Sequence, residues 1–165
     1  MGANIHIAGK EDCIQHFIGI DPGVSGGIAW TSPLGDQVKP MPATLHDTIT
    51  LLESILDAQA DGKTTVYIEE LPKYVGPIPS SAVFVMARNY GQLEGALATM
   101  DVRIQHVKPQ AWQKALGLGT SKGGSRADWK NKLKAKAQHL FPEEDVTLKT
   151  ADALLILNAA QQGLI

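Results

Sequence analysis

The stretch Phe17–Trp30, FIGIDPGVSGGIAW, constrains this chain more than any other. An apolar run, Phe17, Ile18 and Ile20, ends in a lone carboxylate, Asp21. Pro22-Gly23 and Gly26-Gly27 then break regular structure, and Ile28-Ala29-Trp30 begins a second apolar run. This pattern predicts a strand, a tight hairpin and a second strand, with Asp21 at the end of the first. A carboxylate ending a buried strand needs a partner, whether a cation, a metal or backbone donors, because an unpaired buried charge is costly.

The rest of the chain follows in order. Asp36–Met41, bracketed by prolines and Gly35, reads as a third strand. Leu45–Gln59 places Leu45, Ile49, Leu52, Ile55 and Leu56 at helical spacing, and Asp61-Gly62 ends that helix. Thr64–Glu70 is rich in β-formers and reads as a fourth strand, followed by a Pro-rich loop, Leu71–Pro79. A helix capped by Ser80 or Ser81 runs to about Met100, and Val102–Val107 is a fifth strand. Pro109–Leu116, Ser125–Phe141 and about Thr150–Gln162 read as further helices, with a Gly-rich loop over Gly117–Ser125. Three hairpin-linked strands followed by crossover-linked ones predict an α/β fold, a mixed five-stranded sheet with helices on both faces. Met1–Gln15 reads as a loose arm, and residues 16–165 as one domain.

Charge is unevenly spread. Between Lys108 and Lys136 there are eight Lys/Arg and one acid, Asp128, so the segment carries a formal +7 and the rest of this −2 chain carries −9. That asymmetry predicts a phosphate-binding face on an acidic body. Cys13 is the only cysteine, so no internal disulfide is available, which suits a reducing, cytoplasmic setting. No apolar run approaches a membrane span.

Three acids are candidates for chemistry. Glu69 and Glu70 end the fourth strand and point to opposite faces. If the first and fourth strands are parallel neighbours, Asp21 and one of these glutamates meet at the strand C-termini, where open α/β sheets place their sites, and can share a divalent metal. Asp152 shares a helix face with Leu155, Ile156 and Ala159 and points inward. Each acid alone has a plainer explanation. A strand-end acid is more often a solvated turn residue, and Asp152 suits the helix dipole of a first turn capped by Thr150.

Other features have both readings too. A Lys-rich helix face such as Arg126, Lys130 and Lys134 is usually only solvated, whereas Lys108 directly follows a strand and Lys122 sits in a Gly loop. Trp112 and Trp129 read as core. Tyr74, in the Pro-rich loop beside Lys73, is the better base-stacking candidate. The five histidines show no metal spacing, and only His106, near Lys108 at a strand end, stands out. Ala87, Gly91, Gly95 and Ala98 form a small-residue helix face, which implies close packing against the sheet or a second subunit.

Taken together, Gly19-Ile20-Asp21-Pro22-Gly23 with Gly27-Ile28-Ala29, Ile68-Glu69, Gly91-Gln92 with Gly95, Val107-Lys108, and Ala151-Asp152-Ala153-Leu154 resemble, in this order, RuvC-type Holliday junction resolvases. Trp112-Gln113-Lys114 and Trp129-Lys130 look more like phage or organelle branches of that family. The resemblance implies an RNase H-like fold, a homodimer, and cleavage of four-way or branched DNA with two Mg²⁺ per active site, Mn²⁺ substituting. It assigns Asp21, Glu69 and Asp152 as metal ligands, with Glu70 as a further candidate. Lys108 and Lys122 become the basic residues near the scissile phosphate. Tyr74, Lys73, Lys114, Arg126, Lys130, Lys134 and Lys149 become DNA contacts, and the Gly91/Gly95 helix the dimer helix. One position departs from the family pattern: three residues before Asp152, where a further acid is usual, stands Lys149. Either three acids suffice, or Glu70, Glu144 or Asp145 supplies the fourth; a lysine there could instead hold a phosphate oxygen or water.

Three rival readings remain. The opening hairpin also resembles the phosphate-binding hairpin of sugar kinases and actin-like ATPases, but 165 residues cannot hold the second domain those enzymes need. A catalytically weak junction-binding module, with Lys149 marking a lost ligand, is the second. A less selective branched-DNA or flap nuclease is the third.

Overall fold

The computed structural model describes residues 13–73, 76–120 and 124–165. β1 (Ile14–Asp21), β2 (Gly27–Trp30) and β3 (Gln37–Pro40) form an antiparallel meander. After α1 (Leu45–Ala58) the chain adds β4 (Gly62–Glu69) parallel to β1, and after α2 (Ser80–Ala98) it adds β5 (Arg103–Val107) parallel to β4. The strand order is β3-β2-β1-β4-β5, so β1 is central. α3 (Pro109–Ala115), α4 (Arg126–Leu140) and α5 (Ala151–Gln161) complete the chain.

The expected mixed five-stranded sheet is therefore present, with helices on both faces. β1 alternates its side chains between two cores. Ile18 and Ile20 point to one, with Leu52 and Ile55 of α1 and Leu93 and Leu97 of α2. Phe17 points to the other, with Trp112, Leu133, Ala137 and most of α5. α5 is apolar nearly all round because it lies between the sheet and α4; Ala151–Leu157 are all buried.

Several expectations shift at element ends. β1 begins at Ile14, so Ile14 and Gln15 belong to the sheet rather than to a loose arm; residues 1–12 lie outside the described ones. Gly62 opens β4 instead of closing α1, packed so tightly on Ile14 and His16 that a side chain there would collide. Neither Ser80 nor Ser81 caps α2: its N-cap is Pro79, without a side-chain cap. Thr150 is the N-cap of α5, but its hydroxyl accepts from the Thr147 amide in the preceding turn.

α5 lies directly on the backbone of β1. A Cβ at Gly19 would lie 2.6 Å from the Ala153 carbonyl oxygen and 2.7 Å from the Leu157 nitrogen. Gly91 and Gly95 behave oppositely, since a Cβ at either meets nothing within 4 Å. The sheet is thus not what the small-residue face of α2 packs against. Gly19→Ala should lower the unfolding free energy by about 1–3 kcal/mol in a urea titration, because backbone cannot yield as a side chain can. Gly91→Ala should raise it by about 1 kcal/mol in the isolated chain, from helix propensity alone.

Candidate active site

The parallel pairing of β1 and β4 puts Ile20 beside Ile68. One residue further, Asp21 and Glu69 leave the two strands together at their C-terminal ends. Both point to the α5 side of the sheet, and Asp152, in the first turn of α5, faces them. The Gly19 contact makes this possible: with a side chain there, α5 would be held off the sheet and Asp152 with it. Gly26 has a matching role, since a Cβ at this position would lie 2.2 Å from the Asp21 carbonyl oxygen and 2.8 Å from its Oδ1.

Asp21 and Glu69 lie in a poorly solvated space with Asp152, and burial and neighbouring charge oppose the ionisation of both. Burial, then the Asp152 charge, pushes the Asp21 carboxyl up to about 6, against the pull of the Gly23 amide and Lys130. Burial, then the Asp21 charge, pushes Glu69 up to about 8, against a hydrogen bond from Trp112. Asp152 is 5% exposed, and its Oδ1 has no hydrogen-bond partner among the described residues.

Two side chains bind these acids directly. Lys130, from the middle of α4, places its ammonium on Asp152 Oδ2. Burial lowers the affinity of that ammonium for its proton, but the Asp152, Asp21 and Glu69 charges together hold it above its ordinary value. Trp112 is fully buried, and its Nε1 donates to Glu69 Oε2 at 2.8 Å. Trp112 is therefore core, as expected, and also a site group. The signal in the sequence was its place one turn after Lys108, in the helix leaving the strand beside Glu69. Lys130 was expected to face DNA with Arg126 and Lys134. It turns inward instead, because α4 packs on α5 through Leu133 and Ala137.

The other expected residues fall around this centre. Glu70 lies toward Tyr90 of α2, whose hydroxyl is raised to about 12 by burial and then by Glu94 and Glu70; it is not among the charges acting on Asp21 or Glu69. Of the other acids considered in place of Lys149, Asp145 is exposed and Glu144 accepts from Gln37 at 3.5 Å. Lys108 is the exposed N-cap of α3 at the same end of the sheet, with no ion pair among the described residues. Lys73, Lys114, Arg126 and Lys149 are exposed and Lys134 is half-buried. Lys132 donates to the Leu118 carbonyl at 2.6 Å and lies over the Trp129 ring. His106 pairs with Glu94 at 2.6 Å. Tyr74 and Lys122 lie outside the described residues.

Among the described residues no three His, Cys, Asp or Glu side chains are gathered closely enough to hold an ion, and Lys130 is the cation that the acids have. The donor set nevertheless suits a hard divalent cation. It is all oxygen, it includes a buried carboxylate oxygen without a partner among the described residues, and Asp21 and Glu69 resist ionising there, a resistance that positive charge relieves.

A pH dependence follows for the chain freed of divalent ions. Asp21 and Glu69 are raised from 3.8 and 4.5, so the folded state holds protons that the unfolded state has lost. Their contribution to stability is complete below about pH 4. It is lost as pH rises to about 6 for Asp21 and about 8 for Glu69, at up to about 1.4 kcal/mol per pH unit for each group. Melting in the presence of a chelator should show stability falling from pH 5 to 8, less steeply in Asp21→Asn. A rise over that range, or an equal fall in the variant, would contradict the assignment.

A scan against protein-family models finds no match, and no curated protein matches. Solved structures do. The chain is similar to Thermus thermophilus RuvC in complex with a Holliday junction substrate, with a TM-score of 0.58 and 16% identity over 90% of this chain and 97% of that one. A further Thermus thermophilus RuvC structure gives a TM-score of 0.54 and 15% identity over the same shares. The chain thus shares the overall fold of these RuvC structures.

Proposed function

We propose that this chain is a divalent-metal-dependent endodeoxyribonuclease that resolves four-way DNA junctions. The observation that carries this reading is the meeting of Asp21, Glu69 and Asp152, from β1, β4 and α5, with an unpartnered carboxylate oxygen buried between elements. The fold supports it, being shared with a RuvC bound to its junction substrate.

Asp21, Glu69 and Asp152 would hold Mg²⁺, with Mn²⁺ substituting; bound there, the metal supplies water activation and charge neutralisation at the scissile phosphate. The chain's own groups do the rest. Trp112 fixes the Glu69 carboxylate, and Lys130 fixes that of Asp152. Lys108, with Lys122, offsets charge on the phosphate as water adds to phosphorus and the P–O3′ bond breaks. The products are a 5′-phosphate and a 3′-hydroxyl. Arg126, Lys114, Lys134 and Lys149 bind duplex arms, and the Lys73–Tyr74 loop meets the branch point.

The exposed face of α2, with Ala87, Gly91, Gly95 and Ala98 beside a 65% exposed Phe84, would join two copies. Two-fold symmetry then lets each subunit nick one of two opposed strands. Sedimentation at micromolar concentration should show a dimer, and Gly95→Arg a folded monomer that no longer makes paired nicks. A monomeric wild type would remove this part of the reading.

For the reaction itself, Asp21→Asn should bind a synthetic four-way junction with unchanged affinity and cut it at least 10³-fold more slowly, taking on the order of 4 kcal/mol or more from transition-state stabilisation. Cutting near the wild-type rate would sink the metal assignment. Equal cutting of three-way, flapped and four-way substrates by the wild type would favour a less selective branched-DNA nuclease. Binding without cutting at any Mg²⁺ or Mn²⁺ concentration would favour a junction-binding module, as Lys149 allows.

A further inference from the structure

Each of the three acids is anchored through one oxygen and leaves the other free. Asp21 Oδ1 accepts from the Gly23 amide at 3.2 Å, Glu69 Oε2 from Trp112 Nε1 at 2.8 Å, and Asp152 Oδ2 from Lys130 Nζ. Asp21 Oδ2, Glu69 Oε1 and Asp152 Oδ1 have no donor among the described residues. Drawn onto one ion, three such oxygens would supply half of the six ligands that Mg²⁺ takes and leave the rest to water and phosphate oxygens.

A second ion would need further oxygens, and the described residues offer no additional acid for it. The position three residues before Asp152 is the exposed Lys149, Glu70 lies toward Tyr90, and Glu144 is engaged by Gln37 of the edge strand. Of the three oxygens already engaged, those of Asp21 and Glu69 are held by neutral donors, and only Asp152 Oδ2 is held by a cation, Lys130. Lys130 is not a loosely placed surface lysine. It projects from a helix fixed by a Ser125–Asp128 capping box and by Leu133 and Ala137 in the core. It is also the one basic side chain whose charge acts on both Asp21 and Glu69 among the described residues.

We infer that Lys130 stands in the place of a second cation, so that this chain loads one divalent ion per active site rather than two. The inference rests on the metal-dependent reading above and deepens it. With Lys130 in place, the three carboxylates carry two uncompensated formal charges, which one divalent ion neutralises. The ammonium keeps the electrostatic half of a second ion's work, as a donor toward a phosphate oxygen, but it cannot activate water as a metal does.

The test needs neither DNA nor turnover. The full chain, stripped with a chelator, is titrated with Mn²⁺ by equilibrium dialysis, and the bound ions are examined by electron paramagnetic resonance. The wild type should bind one Mn²⁺ per chain with the spectrum of an isolated ion, and Asp21→Asn should lose it. Lys130→Met frees Asp152 Oδ2 and should raise the count to two, with the spin coupling of ions about 3.5–4 Å apart. Lys130→Arg, which keeps the charge, should stay at one. Two coupled ions in the wild type would overturn the inference while leaving the nuclease reading intact. So would a folded Lys130→Met, checked by circular dichroism, that still binds only one. If Lys130→Met does not fold, the wild-type count and spectrum decide the matter alone. An absence of Asp21-dependent Mn²⁺ binding would overturn the metal-dependent reading itself, and this inference with it.

Discussion

The first turns of α5 lie directly on the backbone of β1, with no side chain between them at Gly19. A helix usually meets a sheet through a layer of interdigitated side chains, which keeps the two backbones well apart. Here the Ala153 carbonyl and the Leu157 nitrogen come within 3 Å of where a Cβ at Gly19 would be. That closeness fixes Asp152 relative to Asp21, two residues beyond Gly19 on the same face of the strand. It also buries α5 on nearly every side, since α4 covers what the sheet does not. Gly26 extends the same logic to the hairpin, where only hydrogen fits beside the Asp21 carbonyl and carboxylate. The glycines around Asp21 are steric conditions for the site, apart from any freedom they give the turn.

Bringing three carboxylates together works against folding. Each loses hydration, and burial with the neighbouring charges raises the cost of ionising Asp21 and Glu69. The chain answers with one donor per acid: a backbone amide for Asp21, an indole for Glu69, an ammonium for Asp152. None fully compensates, which is why Asp21 and Glu69 stay raised and Asp152 Oδ1 stays without a partner. The remaining imbalance favours an arriving cation. A fully satisfied acid cluster would be more stable and would bind a metal less well. Partial satisfaction through one oxygen each also orients the carboxylates, leaving chosen oxygens for the ligand.

What the sequence made legible follows from how locally each feature is encoded. Asp21 and Glu69 were readable because period-two patterning locates strand ends, and parallel neighbours bring those ends together. Asp152 was readable because its inward face is marked by Leu155 and Ile156. The partners were not readable. That Lys130 turns inward while Arg126 stays outside depends on how α4 rotates on α5, and α4 has too few apolar residues to announce that rotation. Its charged residues run nearly all round, with only Leu133 and Ala137 buried. Trp112 showed as core because bulk and apolarity dominate its pattern, whereas its single N–H has no sequence signature. The Gly91/Gly95 face showed as a packing surface, but composition cannot separate a sheet from a second subunit. Only the open space over both glycines removes the sheet.

The two faces of the sheet divide the work, and they meet at one edge. The α3–α4–α5 side holds the acids and their donors, and the α1–α2 side leaves an exposed helix face. Pro22–Ser25, the turn that follows Asp21, lines a cleft with Pro79 and Ser81 at the start of α2 and with Arg126 at the start of α4. One short loop thus joins the acid-bearing strand, the start of the small-residue helix and the first residue of the basic helix. If α2 is where two copies meet, that loop carries the relation between copies into each active site, because a shift of α2 must move against the turn beside Asp21. Spacing between two cuts and chemistry at each cut would then be set by the same few residues. A two-fold pair of sites acting on a two-fold symmetric substrate would need such a coupling.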